Sequence, residues 1–271
     1  MFGRVIRYLL TASLVLLVST LSAQAADAVL QAAITGPQRA PDNVARDRYR
    51  HPYETLTFFG MRPDMQVIEL WPGGGWYTEI LAPYLRQRGH LTVASFGADN
   101  AIPFRARLHA RFMQKLAANR SIYGRVSVVT LDPPGRVELG PDNSADRVLT
   151  FRNLHNWIND GALDAVFQAV YRVLKPGGIF GVVEHRGIAG ADVKASARQG
   201  YVPEAYVIET LEGIGFRLLG KSGVNANPRD DKRHPKGVWT LPPTYRLGDT
   251  DRARYAAIGE SDRMTLKFIR P

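Results

Sequence analysis

Three short stretches of the chain concentrate side chains that can do chemistry. In Phe151-Arg152-Asn153-Leu154-His155-Asn156-Trp157 a histidine can act as a general base near neutral pH, an amide can orient a nucleophile, and an indole can wall an apolar or cationic group. Glu184-His185-Arg186 follows an apolar run and serves either as a substrate contact or as a strand end facing water. Trp71-Pro72-Gly73-Gly74-Gly75-Trp76 sets three consecutive glycines where backbone can approach a ligand closely. Other chemistries are excluded. The chain has no cysteine, which removes thiolate nucleophiles, Cys-ligated zinc and iron–sulfur clusters. His51, His90, His109, His155, His185 and His234 form no pair at i, i+3 or i+4, so no metal site is expected. A Gly-x-Ser-x-Gly elbow and a Gly-x-Gly-x-x-Gly loop are both absent, against a hydrolase and against NAD binding.

The elements that must position these residues alternate. Strand-like apolar runs fall at 65–70, 91–96, 126–131, 148–151, 179–183, 216–219 and 264–269, with helical segments between most of them. The clearest is the helix carrying Leu163, Val166, Phe167, Val170, Tyr171 and Leu174, which recur on one face. This pattern predicts an α/β fold: a doubly wound, mostly parallel seven-stranded Rossmann-like sheet with helices on both faces. Ligands of such sheets bind at the carboxyl ends of the strands, and the glycine loop and 151–157 both follow strands. Residues 26–50 read as a lead-in, 51–271 as the domain, and 225–262 as a long flap before the last strand. Within the flap Arg229-Asp230-Asp231-Lys232-Arg233-His234 alternates in sign and reads as a solvated loop.

A composition of 271 residues, 45% hydrophobic and 22% charged, suits one folded domain. Arg4 and Arg7 precede an apolar run that ends at Leu21, followed by Ala23-Gln24-Ala25, the pattern of a signal peptide cleaved after Ala25. Residues 1–25 are therefore expected to direct the protein out of the cytoplasm, into the periplasm. The net charge of +10 is dispersed, which predicts no nucleic-acid partner and allows a peripheral contact with anionic envelope surfaces. The sequence assigns no oligomeric state.

Val67-Ile68-Glu69-Leu70-Trp71-Pro72-Gly73-Gly74-Gly75 and Leu174-Lys175-Pro176-Gly177-Gly178 resemble two motifs of the class I S-adenosylmethionine-dependent methyltransferases, and within them a group of small exported "predicted methyltransferases". The resemblance covers residues 50–224 and the last strand. It implies S-adenosylmethionine as cofactor, with Glu69 organising the glycine loop and Gly73 and Gly75 beneath the methionine part, while the Trp71 ring must either line the pocket or fill part of it. It puts Ser95 at the strand end that meets the ribose, and Asp132 against the adenine amino group unless Asp132 merely shapes the turn before Pro133-Pro134. Phe151 and Asn153 would face cofactor and substrate. Tyr53 would cover the cofactor or simply pack, and His155, or Glu184 with His185, would take a proton from an oxygen or nitrogen acceptor. The chain departs from the family in having Trp71 where a glycine is usual, in ending the second strand near Ser95 without an acid, and in its export signal. The implied function is methyl transfer to a small-molecule or cell-envelope acceptor. The alternative is an exported, non-catalytic small-molecule-binding protein on the same fold.

Overall fold

The computed structural model describes residues 27–271, so the signal-peptide expectation for residues 1–25 lies outside the described residues. Helices α1 (residues 27–35), α2 (Pro41–Val44), α3 (Asp47–Arg50) and α4 (Pro52–Phe58) lead in. There follow β1 (Gln66–Leu70), α5 (Thr78–Leu85), β2 (His90–Ser95), α6 (Pro103–Ala118), α7 (Arg120–Tyr123), β3 (Ser127–Thr130) and β4 (Ala145–Phe151). The second half comprises α8 (Leu154–Asn159), α9 (Leu163–Val173), β5 (Leu174–His185), α10 (Val193–Arg198), α11 (Glu204–Ile214), β6 (Arg217–Ser222), a 3-10 turn at Gly237–Thr240, α12 (Arg252–Ile258) and β7 (Arg263–Ile269). Among the described residues, no helix is long and apolar enough to cross a membrane.

The seven strands form one sheet in the order β3-β2-β1-β4-β5-β7-β6, parallel except for β7, which runs antiparallel to both β5 and β6. Successive side chains of a strand point to opposite faces, and the core divides accordingly. Val67, Leu149 and Val183 join α1, α4 and α5 on one face, while Ile68, Val148, Phe180 and Val182 join α8, α9 and α11 on the other. The α9 stripe predicted from its spacing is buried at Leu163, Val166, Phe167 and Val170. Each such residue contributes about 1.5–3 kcal/mol by leaving water.

Two features of this sheet set up a site. Strand order reverses between β1 and β4, which opens a crevice beyond their carboxyl ends. Because β7 is reversed, Arg263 at its start pairs with His185 at the end of β5, so the flap delivers Glu260 and Ser261 to that same edge.

The structure corrects two expectations about loops. Residues 151–157 are not loop throughout, since α8 starts at Leu154. The flap carries regular structure and is anchored: Asp230, 1% exposed, accepts hydrogen bonds from the Lys232 and Asp262 backbone N–H groups and from the Tyr201 hydroxyl, and pairs with His234. His234, expected in solvent, is buried by this contact. Asp230, Asp231 and His234 bring three donor atoms within 4.8 Å, but both Asp230 oxygens are already engaged.

Gly181 shows how tightly the lead-in grips the sheet. A Cβ there would stand 2.7 Å from Leu149 Cδ2 and 2.9 Å from the Phe59 ring. Gly181→Ala is therefore expected to destabilise the fold by about 1–3 kcal/mol through overpacking, read as a lower denaturation midpoint with an unchanged m-value.

Candidate active site

The ends of β1, β4 and β5, the lead-in and the flap enclose a cavity of about 700 Å³, in the size range of small-molecule sites. β1 supplies Glu69 and the loop Trp71 to Gly74, and β4 supplies Phe151, Arg152 and Asn153. His155 comes from α8, His185 from β5, Arg46 and Arg50 from the lead-in, and Trp239, Glu260 and Ser261 from the flap.

The glycine loop presents bare backbone to this space. At Gly73 and Gly74 an added Cβ would meet nothing within 4 Å. Gly75 behaves differently: its Cβ position lies 3.0 Å from the Phe112 ring, so it is small to pack beneath α6 and lies outside the cavity lining. Glu69 sits fully buried at the root of the loop and accepts a 2.6 Å hydrogen bond from the Thr78 hydroxyl. Burial pushes its carboxyl up to about 7, with Thr78 and Lys115 pulling the other way.

On the facing wall His155 Nδ1 lies 3.0 Å from Glu184 Oε1. With Glu184 accepting, Nδ1 is the donor in this contact, and Nε2 is left free of it. Glu184 itself is 0% exposed and also accepts from the Leu154 and His185 backbone N–H groups at 2.6 and 2.8 Å. The expectation that Glu184 removes a substrate proton is thus corrected: it is sealed from the cavity and positions His155. His185 does line the cavity, with Nδ1 2.5 Å from Ser261 Oγ. Burial, reinforced by His155 and nearby arginines, holds its pKa well below the usual range and keeps it neutral. Asn153 spends its amide nitrogen on the Leu70 carbonyl at 2.9 Å and the Thr150 hydroxyl at 3.1 Å, fixing the β4 end to the β1 end.

Trp71 holds a left-handed backbone (φ +43) and is buried. Its backbone N–H donates to the Ala94 carbonyl and its indole Nε1 to the Leu131 carbonyl, both at 2.8 Å. The ring therefore lies across the ends of β2 and β3, packed on Phe96 and Trp157 with Arg105 above it. Trp157, expected as a wall, is core beneath Trp71, and the aromatic wall comes instead from Trp239, whose ring centroid is 6.0 Å from that of His155.

Three further expected contacts lie outside the cavity lining. Ser95 is buried against His109 Nδ1 at 3.1 Å. The Asp132 carboxylate braces its own turn and the loop after β2, accepting from the Gly97 N–H, Asn100 and Arg136 at 2.7–2.8 Å. Tyr53 packs on the outer helices, and Arg50, three residues earlier, is the lead-in residue that reaches the cavity.

The residues missed by sequence reasoning form an ionic knot. Glu260 accepts from Arg46 at 2.6 Å, Arg263 at 2.5 Å and Arg50 at 3.5 Å. Burial by itself would raise this carboxyl, but Arg263, Arg50 and Arg46 outweigh it and hold the pKa down at about 2. Two of the arginines here neighbour residues that the sequence singled out, Arg152 beside Asn153 and Arg50 three residues before Tyr53. Glu260→Gln leaves two buried guanidinium groups, of Arg50 and Arg263, and the partly exposed one of Arg46 without their counter-charge and is expected to cost about 3–5 kcal/mol near pH 7. A depressed carboxyl pKa stabilises above its unfolded value and loses that contribution on protonation, so the deficit should shrink as pH falls from about 4.5 toward 2. Denaturation of both proteins across that range checks the sign.

A family profile described as "Methyltransferase domain" matches residues 72–182, from the glycine loop through most of β5. No curated protein matches the chain. Among solved structures, a SAM dependent methyltransferase from Aquifex aeolicus is 14% identical, with 84% of this chain and 93% of that chain covered at a TM-score of 0.56. The [4+2]-cyclase SpnF is 19% identical, with 88% of this chain and 86% of that chain covered at a TM-score of 0.57. The chain thus shares the Rossmann-like α/β fold of these solved structures, and its residues 72–182 match the profile of a methyltransferase domain.

Proposed function

We propose that the protein, after export, transfers a methyl group from S-adenosylmethionine to a small-molecule or cell-envelope acceptor bound in the same cavity. The observation that carries this reading is the pairing of a bare glycine loop with a histidine whose Nδ1 is engaged by a buried glutamate, so that Nε2 is the nitrogen left for an acceptor. Gly73, Gly74 and Glu69 suit the methionine half of the cofactor, where backbone N–H groups and a carboxyl meet charged groups closely. The nucleoside half has an apolar surface from Trp71, Phe104 and Leu108. Two nearby carboxylates, Asp99 and Asp132, are both held by Arg136, so this half is met by shape and stacking rather than by an acid.

When bound, the cofactor supplies an electrophilic methyl on a sulfonium. The protein's own work is to orient the acceptor, exclude water and take its proton. His155 is placed for the last step, since a proton arriving at Nε2 makes an imidazolium that Glu184 stabilises from the other side. His185, neutral and bonded to Ser261, offers a hydrogen bond without adding charge. Trp239 closes the space opposite and can face the sulfonium as a cation–π partner.

Calorimetric titration with S-adenosylmethionine and S-adenosylhomocysteine tests the reading. Gly74→Trp is the blocking control, because Gly74 lines the cavity, has no left-handed φ, and its added side chain meets open space. Micromolar binding, about −8 kcal/mol, lost in the control is the expected result. Absence of binding at millimolar ligand would sink the reading and leave a binding protein for some other small molecule.

A further inference from the structure

Four guanidinium groups, of Arg46, Arg50, Arg152 and Arg263, gather at one end of the cavity around a single carboxylate, Glu260. The other acids nearby do not balance them. Glu184 is committed to His155 and two backbone N–H groups, and Glu69 is bonded to Thr78 beneath the glycine loop. Arg50 is only 2% exposed, yet its Nη1 has no acceptor among the described residues. Arg263 Nε is in the same state behind it. Arg152 lines the cavity, is held at φ +65, and has no side-chain hydrogen bond or ion pair among the described residues. Burial, then Arg263 and Arg46, push its pKa down to about 10 against the pull of Glu260, and Arg152 in turn lowers that of Arg50, which places these groups within electrostatic reach of one another.

Like charges crowded at one end of a cavity around a single carboxylate repel one another, and an anion that fills the site offsets them. S-adenosylmethionine brings no net negative charge to offset them, since its carboxylate and ammonium balance and its sulfonium adds one more positive charge. We infer that the second ligand of the cavity, the methyl acceptor, is an anion whose carboxylate or phosphate oxygens are received by Arg50 and Arg152. Planar guanidinium groups with unused N–H donors match either oxyanion in a forked geometry. That this ligand is the acceptor rests on the methyltransferase reading, whereas the oxyanion site rests on the residues alone.

Inorganic phosphate is the probe, titrated into the whole protein with and without saturating S-adenosylhomocysteine, and into Arg152→Gln. Phosphate binding that persists beside S-adenosylhomocysteine and weakens about tenfold or more in Arg152→Gln is the expected result. Because Arg152 has no protein partner to lose, the variant should melt at or above the wild-type temperature, which a merely structural arginine would not do. Phosphate displaced competitively by S-adenosylhomocysteine would mean that the arginines hold the cofactor's own carboxylate, and the acceptor assignment would fall. Absence of phosphate binding to the wild type would overturn the oxyanion site itself. Phosphate binding without S-adenosylhomocysteine binding would uphold the oxyanion site and sink the methyltransferase reading instead.

Discussion

Glu260 draws together guanidinium groups from opposite ends of the chain, Arg50 lying 210 residues before it and Arg263 three residues after. Without that carboxylate the lead-in and the last strand would bring like charges into one buried space. With it, the short helices before β1 become a wall of the cavity, and the flap is fixed at the carboxyl edge of the sheet. The rest of the site hangs on this closure. His185 meets Ser261, Trp239 faces His155, and Arg152 lines the cavity without a side-chain hydrogen bond among the described residues.

Against this charged end stands a neutral, tightly wired one. Asn153 clips β4 to β1, Glu184 clips α8 to β5, and the Trp71 indole clips the glycine loop to β3. Each clip satisfies a buried polar group, as an interior requires. Each also aims something: Asn153 the backbone of 70–71, Glu184 the imidazole of His155, and Trp71 its own ring over the ends of β2 and β3. The Trp71 ring is the sharpest difference from the pattern the resemblance implied, since it turns what would be polar strand-end surface into an aromatic floor.

Much of this was legible in the sequence because it depends on local periodicity. The α9 stripe, the strand runs and the glycines between a strand and a helix gave the sheet, and the strand-end rule put Glu69, Trp71, Gly73, Phe151, Asn153, His155 and His185 at one edge. What was not legible depends on directions that no local pattern encodes. Arg50 and not Tyr53 reaches the cavity because α3 ends at His51 in a left-handed turn (φ 41). Gly75 faces Phe112 and Asp132 faces Arg136 for reasons fixed only once α6 and the loop after β2 have packed. Glu260 carried no signal at all, because its partners are brought to it by the reversed β7, and a carboxylate in a Gly-Glu-Ser-Asp stretch reads as an ordinary turn.

One cavity is expected to bring a cofactor's reacting sulfur to His155 while Trp71 keeps its place. A crystal structure with S-adenosylhomocysteine tests it most directly. The predicted result is sulfur on the His155 side of Gly73 and Gly74, with the indole still bonded to the Leu131 carbonyl. Sulfur remote from His155, or a ligand seated only after the Trp71 ring has swung away, would contradict it.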